Sequence, residues 1–172
     1  MSTNFPEQDV LLPTTGWLIF FSLIFALLLN FLPLQGIFLA LRPDFMALTI
    51  LYWCINQPQR VGMSIAFIMG ILIDVSNISI LGQHAMAYCV IAYIALTTHR
   101  RLRIFNPFQQ APQIALILIF MQLIILLTGL LSGAEFPGWI FFLASATGML
   151  TWPLISFILG ILRMPKDDPN TI

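Results

Sequence analysis

Charge is what this sequence lacks. Only 8% of its 172 residues are charged, seven basic and seven acidic, against roughly 25% in a soluble domain. A surface so poor in charge would aggregate in water, which excludes an ordinary soluble domain and makes lipid the consistent solvent. The formal charge sums to zero and no basic-aromatic surface appears, so nucleic acid is not expected as a partner. Cysteine is scarce as well. Cys54 and Cys89 are the two in the chain, both lie in apolar runs, and both read as buried reduced thiols. With only His84 and His99 beside them, no metal-ligand spacing exists. Neither a nucleophile elbow nor a phosphate-binding glycine loop is present. The expectation is a protein with no cofactor and no catalytic activity.

What the chain has in abundance is apolar length. Hydrophobic residues make up 59% of it, and its mean hydropathy is +0.95. Between the charges lie uncharged runs of 32, 15, 13, 25, 31 and 27 residues. About 20 apolar residues are needed to cross a ~30 Å hydrocarbon core, so four of the six runs are long enough outright. The expected fold is an all-α, polytopic bundle of six transmembrane helices over residues 16–162, with short tails at 1–15 and 163–172. The first tail carries Glu7 and Asp9 but no Lys or Arg. The apolar run after it is too long for a signal-peptide core, so the first helix is expected to be retained.

The spans are expected at Trp17–Leu32, Gly36–Ile55, Val61–Ile80, Ala85–Thr98, Ile114–Leu131 and Trp139–Leu162. The second contains Arg42-Pro43-Asp44; because Pro suits a first helical turn, its helix proper is expected to begin there, after a bent segment near one interface. The sixth is expected to bend at Pro153. Small residues at Gly62, Ala66 and Gly70, and at Ala85, Ala92 and Ala95, mark where the third and fourth helices can approach closely. Basic residues in short loops stay cytoplasmic. With both termini inside, Arg60, Arg100, Arg101, Arg103, Arg163 and Lys166 are cytoplasmic and only Arg42 lies toward the other side, a ratio of six to one. Trp17, Trp53 and Trp139 then fall near interfaces, whereas Trp152 is expected to pack against another helix.

Ionisable groups inside apolar runs are costly and usually face a bundle interior. On this topology Arg42 and Asp44 lie about 9–12 Å from the outer end, and Asp74 about 21 Å from the cytoplasmic end, at 1.5 Å per residue. Gln83 and His84 open the descending fourth helix. Arg42, Asp44, Asp74, Gln83 and His84 are thus expected to form one polar cluster in the outer half, with Arg42 paired to Asp74 or Asp44. Three uses are open to it: a structural ion pair or helix cap, a ligand- or partner-binding site, and an ion pathway. The basic run Arg100, Arg101 and Arg103 reads as an anchor on anionic lipid headgroups or as a dock for a cytoplasmic protein.

The segment Leu41-Arg42-Pro43-Asp44-Phe45, then Leu51-Tyr52-Trp53, resembles the MreD family of rod shape-determining proteins. So do Arg60-Val61-Gly62 after Pro58, Gly70 followed by Asp74-Val75, Leu81-Gly82-Gln83-His84-Ala85-Met86-Ala87-Tyr88 and the Arg100-Arg101-Leu102-Arg103 turn with Phe105. The resemblance is specific over residues 41–110 and hydropathic elsewhere; Ile78 departs from it where a Gly is common. It implies a noncatalytic inner-membrane subunit of the bacterial cell-elongation complex. Such a subunit would bind MreC, accompany RodA and a class B penicillin-binding protein, and reach MreB filaments indirectly. It also implies a fold like the substrate-binding S-components of energy-coupling-factor transporters. The alternative function is therefore a small-molecule-binding subunit of a transporter.

Overall fold

The computed structural model describes residues 16–77 and 80–163. The expected tail at 1–15, all of the expected tail at 163–172 beyond Arg163, with Glu7, Asp9, Lys166, Asp167 and Asp168, and the departure at Ile78 lie outside the described residues. Within them the fold is helical and has no strand. Seven α-helices run as α1 (Gly16–Asn30), α2 (Ile37–Leu41), α3 (Phe45–Asn56), α4 (Met63–Ser76), α5 (Gln83–Leu102), α6 (Pro107–Leu131) and α7 (Leu143–Arg163). A 3-10 turn, Trp139–Phe142, leads into α7. Two segments, Pro107–Leu131 and Trp139–Arg163, are long and apolar enough to cross a membrane, while α1, α3 and α4 are apolar but shorter.

The core is α3. Every residue from Met46 to Ile55 is buried, because α1, α5 and α7 all pack against this helix. The surrounding helices bury one stripe each: α1 turns Ile19, Leu23, Ala26 and Asn30 inward and leaves Phe20, Phe21, Phe25 and Leu28 on the outside. An exterior this apolar suits lipid. The second span thus resolves into two pieces, α2 and α3, separated at Arg42-Pro43-Asp44. The break has a local cause: Pro43 lacks an N–H, and the Asp44 side chain accepts from the Ala47 N–H, which caps α3.

Three expectations change. Trp53, expected near an interface, is fully buried and donates its indole N–H to Ser22 Oγ at 2.8 Å, since it sits on the helix that every neighbour covers. Gly62 makes no close approach, whereas a Cβ at Gly70 would lie 2.3 Å from Ala85 Cα. Small size therefore matters at Gly70, where α4 carries the first turn of α5, together with fully buried Ala66 and Ala85. Third, α6 begins at Pro107 rather than 114. Asn106 and Gln109 form a reciprocal capping box with Pro107 in the first turn. Trp152 does pack inside, donating to Gln110 Oε1 at 3.2 Å, and Gln110 in turn donates to the carbonyls of Leu102 and Phe105.

The two ends of the bundle differ in charge. One gathers the α3–α4 turn, the α5–α6 turn and the end of α7, with Arg60, Arg100, Arg101 and Arg103 exposed there and Arg163 donating to Asn56 Oδ1 at 3.2 Å. The other gathers the α1–α3, α4–α5 and α6–α7 connections.

Candidate functional site

Both carboxylates within the apolar helices serve as helix caps. Asp74, fully buried on α4, reaches across to the start of α5. Its Oδ2 accepts from Gly82 N at 2.9 Å and from Ala85 N at 3.3 Å, and its Oδ1 accepts from His84 N at 2.9 Å. His84 Nδ1 lies 2.7 Å from the same Oδ1. The first amides of a helix have no partners within it and carry partial positive charge, so a carboxylate from the neighbouring helix satisfies them in place of water. Gly82 enables this approach through a left-handed backbone at φ 96°, which residues with a side chain rarely adopt.

Asp44 does the same for its own helix and more. Its Oδ1 accepts from Ala47 N at 3.1 Å and from Asn30 Nδ2 at 2.9 Å; its Oδ2 accepts from the Tyr88 hydroxyl at 2.7 Å. Asn30 Oδ1 accepts from Phe45 N, so the end of α1 is tied to the start of α3. Tyr88 stands one turn after His84 on α5, the two rings 6.0 Å apart and edge to face. Hydrogen bonds thus link α1 through α3 to Tyr88 on α5, and the ring contact of Tyr88 with His84 leads on to Asp74 on α4.

Four of the five expected cluster residues line one cavity or contact its lining. Arg42, Asp44 and His84 border a cavity of about 380 Å³, and Asp74 lies behind His84. The expected pairing of Arg42 with an aspartate is replaced by another arrangement. Arg42 Nη1 donates to the carbonyls of Asn30 at 2.7 Å and Leu32 at 3.2 Å, capping the C-terminal end of α1, while Asp74 meets His84. The main-chain carbonyls exposed where α1 ends attract a cation more directly than a carboxylate already saturated by amides. Gln83 departs from the cluster: its Nε2 donates to Ile125 O on α6 at 2.7 Å, joining α5 to α6.

Sequence reasoning missed Asn30, Tyr88, Gln122 and Ser145 as members of this end of the bundle. Gln122 and Ser145 are buried, hydrogen-bond each other and join α6 to α7, and Gln122 Nε2 also donates to Phe141 O. A polar residue within a long uncharged run was the available signal for Gln122. For Tyr88 the signal was its spacing of four from His84. The arginines Arg100, Arg101 and Arg103 stay apart from all of this, exposed at the opposite end. Among the described residues no group of three or more His, Cys, Asp or Glu could hold a metal ion.

A helical chain with an apolar exterior, a central helix buried from Met46 to Ile55 and internal carboxylates spent on helix caps belongs to the membrane-associated class. The sequence matches the family model for the rod shape-determining protein MreD over residues 13–163, and the chain belongs to that family. It is 26% identical over 140 residues to a Haemophilus influenzae protein named rod shape-determining protein MreD, covering 81% of this chain and 86% of that one. No solved structure matches significantly. The family's role, determination of rod shape, is the role this chain carries.

Proposed function

We propose that this chain is a noncatalytic scaffold of the cell-elongation complex in the bacterial inner membrane. In this reading α1, α3, α4, α5, α6 and α7 each cross the bilayer, and both termini lie in the cytoplasm. The observation that carries it is the employment of Asp44 and Asp74. Each accepts at least three hydrogen bonds from helix starts and neighbouring side chains, which fixes the bundle's shape and leaves neither free as an acid or base. The arginine-rich end supports the orientation, because basic loops stay cytoplasmic.

The partner in this reading is MreC, with RodA and a class B penicillin-binding protein in the same complex and MreB filaments reached indirectly. A transmembrane helix of MreC has a place to dock. An apolar groove of about 490 Å³ runs between α1 and α7 over α3, walled by Phe21, Phe25, Leu154 and Ile158. Its α1 wall extends from Leu18 to Leu29, about 17 Å at 1.5 Å per residue, which suits one face of a helix laid in a groove. The S-component-like alternative draws on the cavity at the Arg42 end. Co-purification separates the two: tagged protein from native membranes should bring down MreC, and Leu154→Trp, which crowds the groove from an exposed wall position, should not. Recovery of transport ATPase subunits in place of MreC would overturn the scaffold reading.

A further inference from the structure

We infer that the cavity at the Arg42 end binds a small amphiphile through a phosphate- or carboxylate-type head, with Arg42 as its anchor. The volume, about 380 Å³, falls in the range of roughly 300–1,000 Å³ typical of small-molecule pockets. The class of ligand follows from which polar groups are spent and which are spare. Asp44 and Asp74 are spent, each on the N–H groups of a helix start and on side-chain donors. Their negative charge is offset by the positive ends of α3 and α5. Gln122 is spent on Phe141 and Ser145.

The spare capacity is mostly in donors. Arg42 uses Nη1 alone, so Nε and Nη2 have no partner among the described residues. His84 has Nδ1 against Asp74, which leaves Nε2. The Asn77 side-chain amide lines the cavity with no hydrogen bond among the described residues. A guanidinium with a free edge matches a planar or tetrahedral oxyanion in two parallel hydrogen bonds. The Asn77 amide adds oxygen contacts, and His84 Nε2, the acceptor nitrogen of a ring whose Nδ1–H faces Asp74, takes a hydrogen bond from a protonated head-group oxygen. The facing wall is of a different kind: Met121, Ile125 and Ile140 border the same space, so the rest of the ligand is apolar. Gly36 and Leu39 from the α1–α3 connection and Pro137 and Phe141 from the α6–α7 connection also line it. A ligand that touches both ties the α1–α3 and α6–α7 connections together. This inference stands independently of where MreC docks.

Thermal unfolding of the full chain in uncharged dodecyl maltoside tests it, with butyl phosphate titrated against butanol at matched ionic strength. A parallel series adds phosphatidylglycerol against diacylglycerol. The expected result is a saturable rise in Tm with an anionic probe, absent with its neutral counterpart and lost in Arg42→Gln. Should Arg42→Gln fail to fold, Ala144→Trp, which fills the cavity from the α7 side, must abolish the rise instead. A rise with butyl phosphate alone assigns a soluble ligand, and one with phosphatidylglycerol assigns a membrane lipid headgroup. No saturable rise with either anion, or a rise that survives in the variants that fold, overturns the inference.

Discussion

Asp74 on α4 and His84 in the first turn of α5 meet at 2.7 Å, and the same carboxylate holds the main-chain amides of Gly82, His84 and Ala85. Removing it leaves several buried donors without an acceptor, each costing about 1–3 kcal/mol. Asp74→Ala should therefore lower stability by at least about 2 kcal/mol, read as thermal unfolding in detergent. In a double-mutant cycle His84→Ala should be strongly non-additive with it, coupled by about 0.5–3 kcal/mol. Arg42→Ala should add to Asp74→Ala without coupling; rescue of one by the other would restore the direct pairing that the sequence suggests.

Tyr88 stands between the two carboxylate centres, its ring edge to face with His84 and its hydroxyl donating to Asp44 Oδ2 at 2.7 Å in a fully buried position. Tyr88→Phe keeps the ring and its edge contact with His84 but deletes that donor. The expected loss is about 1.5–3 kcal/mol, the range for a hydrogen bond to a charged group. An unchanged melting temperature would show that the α1–α3–α5 link is idle.

Gly70 is where α4 and α5 come closest. An added Cβ would stand 2.3 Å from Ala85 Cα and 2.5 Å from Ala85 N, both backbone atoms, so neither helix can relieve the clash by turning a side chain. Gly70→Ala should cost about 3 kcal/mol, the upper end for overpacking. Gly62→Ala, with open space around it, should cost no more than about 1 kcal/mol, as for a cap position. Comparable yields and melting temperatures for the two variants would contradict the packing described.

The topology carries its own test. In a chain with Cys54 and Cys89 replaced by Ala, Glu135→Cys should react with an impermeant thiol reagent from the periplasmic side, and Arg103→Cys should not. The opposite pattern would place the polar cavity in the cytoplasm.

The sequence is explicit about some of this and silent about the rest, for physical reasons. Proline and aspartate at 43 and 44 announced a helix start, because a missing N–H and a capping carboxylate act within a few residues. Asn106, Pro107 and Gln109 form an equally local signal for the start of α6, though hydropathy alone places the span from Ile114. That ionisable residues gather at one end follows from the up-and-down order of the helices. Their partners do not follow. Whether Arg42 meets Asp74 or the carbonyls ending α1 depends on how far α1 reaches, which hydropathy cannot fix. The burial of Trp53 depends likewise on which helix the others enclose, and α3 is less apolar than α1, which stays largely exposed.

The most direct measurement is complementation in a rod-shaped host depleted of its own MreD-family protein, with MreC co-purification read from the same cells. The wild-type chain should restore rods and recover MreC. Leu154→Trp, crowding the groove between α1 and α7 from an exposed wall position, should reach the membrane at normal level yet leave cells round and recover no MreC. Full restoration of shape and of MreC binding by Leu154→Trp would contradict docking in that groove. Rods restored without any MreC recovered by the wild-type chain would contradict the scaffold itself.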